Sequence, residues 1–416
     1  MSTGAVRQRF PRSSPYWPVL THPQLRRVLP GLVVSALGDG MSVVAIGWLA
    51  LQLAPAGEGG TWVAIAFAAY LLPGAAGGVL FARLLHGRSG AQLAGWNATL
   101  RAVALAAIAV IHAAGGLDLT VYVVLLAISS LLAAWGSAGR YTLIAELLPS
   151  RHHLPANAMM TTIAELAAIV GPPLAGVLIG WTGAAVVIGI DAVSFAVLAL
   201  TYRLAVPTTR PARSAEDAGS RAGGFAVIFR DRTLLGLLVL SFVFFFLIGP
   251  VYAALPVHVA EDLHASATLL GAFFTAFGIG AVAGALVTAY LRRWPLWPTI
   301  VGIVAGGGAA MLPLGLGAPI GVALAGFVLA GIIWAPFNAL SMALFQRDTP
   351  ADRLAPVLAA NGSIIMPAVP LGTALGGVLV EAIGARETLL ACAVATVALG
   401  AGAAGLRALT SGRRGG

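Results

Sequence analysis

Twelve long apolar runs, each bounded by Gly, Pro or Arg, leave this chain a single solvent. They fall near residues 28–53, 61–85, 92–115, 119–147, 155–181, 183–204, 232–258, 266–291, 297–316, 318–345, 353–382 and 386–407. About 20 apolar residues span the hydrocarbon of a bilayer, where only a helix satisfies its own backbone groups. The 416 residues are 59% hydrophobic and 9% charged, against the ~25% charge with which a soluble domain covers its surface. The reading is an all-α polytopic membrane protein. Its 52 glycines and 24 prolines fit this solvent, because small residues let membrane helices approach and neighbouring helices absorb lost hydrogen bonds.

Composition also excludes chemistry. All 24 basic residues are Arg, so a phosphate-cradling loop has no Lys and no Schiff base can form. Cys392 is the one cysteine, and the seven His show no HExxH spacing. Neither a disulfide framework nor a cysteine zinc site is possible, and no GxSxG turn is present. The chain reads as no enzyme, with no cofactor and no metal. The net charge of +9 is a topology signal rather than a nucleic-acid footprint. Residues 1–27 are polar and Arg-containing, with no apolar core of a cleavable leader.

Twenty-two of the 24 arginines lie in the tails or in the loops that follow even-numbered runs. The opposite loops carry Glu58, Asp118, Glu261 and Asp262, with Arg386 alone among arginines. By the positive-inside rule both termini are cytoplasmic, and the expected location is a bacterial inner membrane. The domain reading is a tail at 1–27, a six-helix bundle at 28–204, a cytoplasmic linker at 205–231, a second bundle at 232–407 and a tail at 408–416. The halves are alike: Leu174-Ala-Gly-Val-Leu-Ile-Gly-Trp-Thr-Gly-Ala184 aligns without gaps on Leu375-Gly-Gly-Val-Leu-Val-Glu-Ala-Ile-Gly-Ala385. Two six-helix halves with internal similarity suit a transporter whose site lies between them.

Several stretches, in order and spacing, carry a family resemblance. They are Ser35-Ala-Leu-Gly-Asp-Gly40, Gly78 with Arg83 and Arg88, Ala156-Asn157, Gly171-Pro-Pro-Leu-Ala-Gly176, Asp191 with Phe195, Pro256, Gly271 to Gly284, Arg353 and Pro370 to Gly377. With these the chain resembles the major facilitator superfamily, and more narrowly its drug and siderophore exporters, the branch that includes the enterobactin exporter. The resemblance implies two six-helix bundles, alternating access and function as a monomer. Gly78, Arg83, Arg88, Arg101, Arg140, Gly171, Pro172 and Gly176 match its gating and structural motifs. Ala82 departs from it, standing where the family's loop usually holds an Asp that latches that side closed. The Gly-Pro motif of the fifth run favours export.

Three acids fall deep inside runs, away from their ends, where an unpaired charge costs roughly 3 kcal/mol, so Asp39, Glu165 and Asp191 are the proton-coupling candidates. Ser35 and Ser42 share a face with Asp39; Asn157 and Thr161 share one with Glu165. If the first and fifth spans are neighbours, the two carboxyls meet and share a proton. Asp191 has a structural alternative on a peripheral span. Arg101 lies deep enough to need one of these acids as partner. A polar and aromatic stripe marks the substrate cavity: Trp334, Asn338 and Ser341, then Ser241, Phe245, Ile248 and Tyr252, with Trp48, Phe273, Phe274 and Phe277. Such a wall suits a bulky, partly apolar molecule.

The sequence therefore reads as a secondary active exporter, proton-coupled, of a small amphipathic molecule such as a drug, siderophore or secondary metabolite. Its partners are that substrate, protons and the lipid bilayer, with no nucleic acid. The alternatives are a non-transporting membrane scaffold of the same fold and an importer of a small solute.

Overall fold

The computed structural model describes residues 16–81, 88–149, 152–205, 225–291, 294–349 and 353–412. Among them are twelve helices long and apolar enough to cross a membrane. The first six are α1 (Leu25–Leu53), α2 (Gly59–Gly78), α3 (Gly90–Ala113), α4 (Leu119–Leu147), α5 (Pro155–Thr182) and α6 (Ala184–Leu204). The second six are α7 (Arg232–Asp262), α8 (Ala267–Thr288), α9 (Leu296–Gly315), α10 (Ile320–Asp348), α11 (Ala360–Ile383) and α12 (Ala385–Arg407). The fold is all-α, in two bundles of six.

Four spans are broken where the apolar pattern reads as continuous. α2 is split at Leu72 before Pro73, α10 at Ala335 before Pro336, and α11 around Met366 and Pro367. A proline opens a helical segment easily but cannot donate within one. α4 breaks at Leu131 and Leu132 without proline. There Ser129 donates to the Leu126 carbonyl at 2.7 Å, and Ser130 reaches Ala127 and Ala69 carbonyls at 3.2 and 3.1 Å. Hydroxyls that bond back into the preceding turn loosen the ladder there. The region read as a tail contains a short helix, Trp17–Thr21, whose Val19 is buried with Ile144, Leu148 and Ala156.

Within the first bundle α1 packs on α5 and α6, and α3 on α6 and α4; within the second, α7 packs on α11, α9 on α12 and α8 on α10. The bundles meet mainly along two pairs, α5 with α8 and α2 with α11. Both pairs touch in the half away from the chain termini. Thr268 donates to the Gly176 carbonyl at 3.2 Å. A Cβ on Gly271 would sit 2.7 Å from the Pro172 oxygen, and one on Gly60 would sit 2.3 Å from Val380. On the side of the termini, the segments Pro73–Leu80, Ala133–Leu147, Pro336–Asp348 and Leu354–Ile365 pack within their own bundles. The seam is thus closed at the far end, by backbones in near contact, and parted toward the terminal end.

Candidate transport site

Asp39 lies about 20 Å along α1 from its terminal end at 1.5 Å per residue. It is held by two other helices. Its Oδ1 accepts from Arg101 Nη2 of α3 at 2.9 Å and from Tyr70 Oη of α2 at 2.9 Å, and Arg101 also donates to Tyr70. The guanidinium lies over the Phe195 and Tyr70 rings, 4.4 and 4.9 Å from their centroids. Planar, always charged and weakly hydrated, a guanidinium suits such a stacked, half-dry setting. Asp39 keeps 37% of its side chain accessible against 12% for Arg101.

Asp191, one turn before Phe195, is fully buried between α6 and α1. Ser42 donates to its Oδ2 at 2.5 Å and Ser194 to its Oδ1 at 3.0 Å. Gly38 makes this approach possible, since a Cβ there would lie 2.2 Å from Asp191 Oδ1. Asp191 also lies within electrostatic reach of Asp39 and Arg101. One guanidinium therefore bonds one carboxyl, Asp39, while a second, Asp191, stands within its electrostatic reach, a balance that the pairwise expectation for Arg101 did not contain. Ser42, read as a neighbour of Asp39, turns instead to Asp191.

Glu165 takes no ion pair or hydrogen bond among the described residues and is exposed. Asp39 is committed to Arg101 and Tyr70, so the expected carboxyl pair is not assembled. The helical face of Glu165 is that of Ile169, Pro172 and Gly176, the residues that touch α8. Glu165 thus stands one turn beyond the seam, where the bundles part.

The second bundle holds linked rings, with Phe244 buried in its core and Phe245, Phe277 and Trp334 half-buried. Trp334 lies 4.5 Å from Phe244, 5.7 Å from Phe245 and 6.0 Å from Phe277, centroid to centroid. Tyr252 lies 6.1 Å from Phe274 and 5.9 Å from Phe67 of the first bundle. Ser241 and Ser341 are buried and Trp48 is half-buried, while Asn338 is exposed. Phe273 leaves the expected wall: it is fully buried and packs on Phe327 at 4.9 Å. The Gly-Pro motif divides its work. Gly171 lies against Gly40 and Met41 of α1, while Pro172 and Gly176 lie against α8. Gly78 nears Ala134 of α4, Arg88 covers the Trp96 ring at 5.3 Å, and Arg140 donates to Ser137 at 3.1 Å. Arg83 and Ala82 lie outside the described residues.

The amino-acid sequence that folds this way matches a family model, the Major Facilitator Superfamily, over residues 28–369 and 253–414. The chain belongs to that superfamily. It is a major facilitator transporter and a multi-pass bacterial membrane protein; the family and fold are those of transporters, not enzymes. It is 28% identical over 402 residues to the multidrug efflux pump Tap of Mycobacterium tuberculosis, covering 92% of this chain and 93% of the pump. It is also 28% identical to an uncharacterized MFS-type transporter, y4rN, of Sinorhizobium fredii, over 60% of this chain and 63% of that one. Among solved structures, a bacterial homologue of the iron transporter ferroportin in an inward-facing state superposes with TM-score 0.67 at 18% identity, over 91% and 98% of the two chains. The nucleoside transporter NupG does so at 0.65 and 16%, over 92% and 99%. These likenesses establish the superfamily and the fold; the narrower enterobactin-exporter resemblance is not among what they support.

Within this facilitator, sequence reasoning missed Tyr70. A lone Tyr among Ala and Leu carries no periodic signal, and only the approach of α2 to α3 gives its hydroxyl two partners. Ser194 was legible in principle, since a hydroxyl three residues after a membrane Asp can bond it within one turn.

Proposed function

We propose that this facilitator exports a small amphipathic molecule in exchange for protons, by rocking its two bundles about the far seam. The charge-linked group Asp39, Arg101, Tyr70 and Asp191 carries the reading. Two carboxyls and one guanidinium are electrically neutral only while one carboxyl holds a proton, and residual charge inside a membrane is costly. A proton therefore belongs to this group's arithmetic, and its arrival or departure changes how α1, α2, α3 and α6 are tied together. Coupling follows if the two facing states bind that proton unequally.

The arginine distribution supports cytoplasmic termini, which makes the described state open to the cytoplasm. The likeness to the Tap multidrug efflux pumps supports export, and the ring cluster around Trp334 with few hydrogen-bonding groups supports an amphipathic cargo. Asp39 is the leading proton carrier because it alone of the pair is accessible. Glu165 is read as a cavity charge that meets cargo, and Asp191 as a buried partner. Transport into inverted vesicles should need an interior-acid gradient and should fail or lose its pH dependence in Asp39→Asn. Full gradient-driven transport by that variant would overturn the proton reading.

A further inference from the structure

Apart from the gap between the bundles, the first bundle holds a narrow polar cavity of about 80 Å³. Its walls are three heptad-spaced columns: Ala94, Asn97 and Arg101 of α3; Ala133, Gly136, Ser137 and Arg140 of α4; Phe195, Leu198 and Tyr202 of α6. Asp39 of α1 closes the deep end. Each column covers seven residues, so the cavity is a shaft about 10 Å long at 1.5 Å per residue. Its level nearest the terminal end is set by Arg140, which is exposed, and Tyr202, which is 2% exposed.

Three of its lining side chains each bury a polar atom without a protein partner: Arg101 Nε deep, Asn97 Oδ1 midway and Tyr202 Oη near the mouth. Buried polar atoms are rarely left unpaired, and a polar cavity of this size meets the requirement for ordered water. The three demands are mixed, a donor, an acceptor and a hydroxyl, which water satisfies and an anion does not. At a hydrogen-bond spacing of about 2.8 Å, the shaft is long enough for a file of about three waters.

We infer that this shaft is a water-filled proton path, running inside the first bundle between Asp39 and the terminal side, with Asn97 and Tyr202 as positioning residues. The inference rests on the reading of Asp39 as the proton site. The transfer balances simply. The Asp39 carboxyl gives its proton to the nearest water, each water hands one on, the last releases one to solvent, and Asp39 is left as the carboxylate that Arg101 holds. Arg101 keeps its own protons throughout. Substrate enters between the bundles while the proton leaves through the first one, at the same membrane face and without sharing a path.

The titratable neighbours of Asp39 are Arg101 and Tyr70, with Asp191 and Tyr202 on α6 and Arg140 on α4. Glu165 of α5 lies on the flank of that helix turned to α8. α7 meets α1 through Pro256 at Gly47, and α8 carries no titratable residue.

Hydroxyl-radical footprinting tests the water directly. Tyr122 is a matched control, fully buried, with its hydroxyl bonded to the Ile46 carbonyl at 2.9 Å. Tyr202 beside bound water should label about tenfold faster than Tyr122; equal labelling overturns the proposal. In proteoliposomes with ethidium as cargo, Tyr202→Phe and Asn97→Leu should slow proton flux tenfold or more, with ethidium binding and ethidium–ethidium exchange unchanged. Wild-type flux in both variants, or loss of exchange alongside flux, overturns it as well. Asp39→Asn separates the two ideas. If that variant keeps proton flux, the coupling reading itself fails; if it stops flux while the shaft variants do not, only the path fails.

Discussion

Gly176 and Gly377 align in the internal repeat, and each presses its backbone against a helix of the opposite bundle. A Cβ on Gly176 would lie 2.9 Å from the Ala267 oxygen, and one on Gly377 would lie 2.5 Å from Ala64 Cβ. The longest similarity between the halves is therefore the seam between them, repeated because two pseudo-equivalent helices close the far end together. Tight backbone contact, with the Thr268 bond to the Gly176 carbonyl as a polar link across it, makes a seal that parts at modest cost, as alternating access requires.

Filling that seam should shift the facing equilibrium. Overpacking costs about 1–3 kcal/mol, so Gly377→Val should move the balance roughly ten- to hundredfold away from far-end closure. Spin labels at Thr182 and Glu381, in a Cys392→Ala background, should report a longer far-end separation. Gly180→Ala on α5, where the nearest atom is 3.9 Å away, should leave the separation and transport unchanged.

The ion pair of Asp39 and Arg101 should show the asymmetry of buried charges. Arg101→Gln leaves two carboxyls facing no cation and should cost about 3–5 kcal/mol of stability, read as a large drop in melting temperature. Adding Asp39→Asn removes one of those charges and should restore much of the loss without restoring pH-dependent transport. A double variant no more stable than Arg101→Gln would show that the pair does not hold the fold.

Stacking predicts a separate outcome at the same residue. Arg101→Lys keeps the charge but cannot lie flat between the Phe195 and Tyr70 rings or serve Asp39 and Tyr70 as a planar fork. It should fold, yet lose at least about tenfold in proton-driven transport, since one pairing interaction of about 1.4 kcal/mol is a factor of ten. Transport at the wild-type rate would mean that charge alone suffices.

The helix count, the order of spans and the repeat were legible in the sequence because hydrocarbon permits one backbone solution and charge is too costly to misplace. Asp39 and Arg101 were legible as ionisable residues in apolar runs. Their partners were not. Tyr70 is silent until α2, α3 and α1 meet, and Gly38 gains meaning only from the Asp191 oxygen that would strike its Cβ. The shaft was hidden for a related reason. Asn97 and Arg101 sit four residues apart, as many unrelated pairs do, and the columns of α4 and α6 that enclose them are mostly apolar. Helix breaks were half legible: prolines mark three, while the break in α4 comes from two serines whose hydroxyls turn inward.

Glu165 carries the last prediction. It is exposed, without an ion pair or hydrogen bond among the described residues, and shares its face with the seam. An acidic side chain with no cation partner among the described residues, one turn from Ile169 where that residue meets α8 beside Phe277, should attract a flat cationic cargo by charge while the rings around Trp334 offer their faces. Glu165→Gln should therefore leave the melting temperature unchanged, because no internal bond is lost. It should weaken ethidium binding about tenfold, an effect of about 1.4 kcal/mol, while leaving a neutral dye of similar size unaffected. Titration of both dyes into detergent-solubilised protein reads the difference. An equal loss for the two would assign Glu165 to shape rather than charge, and no loss for either would remove it from the cargo's path.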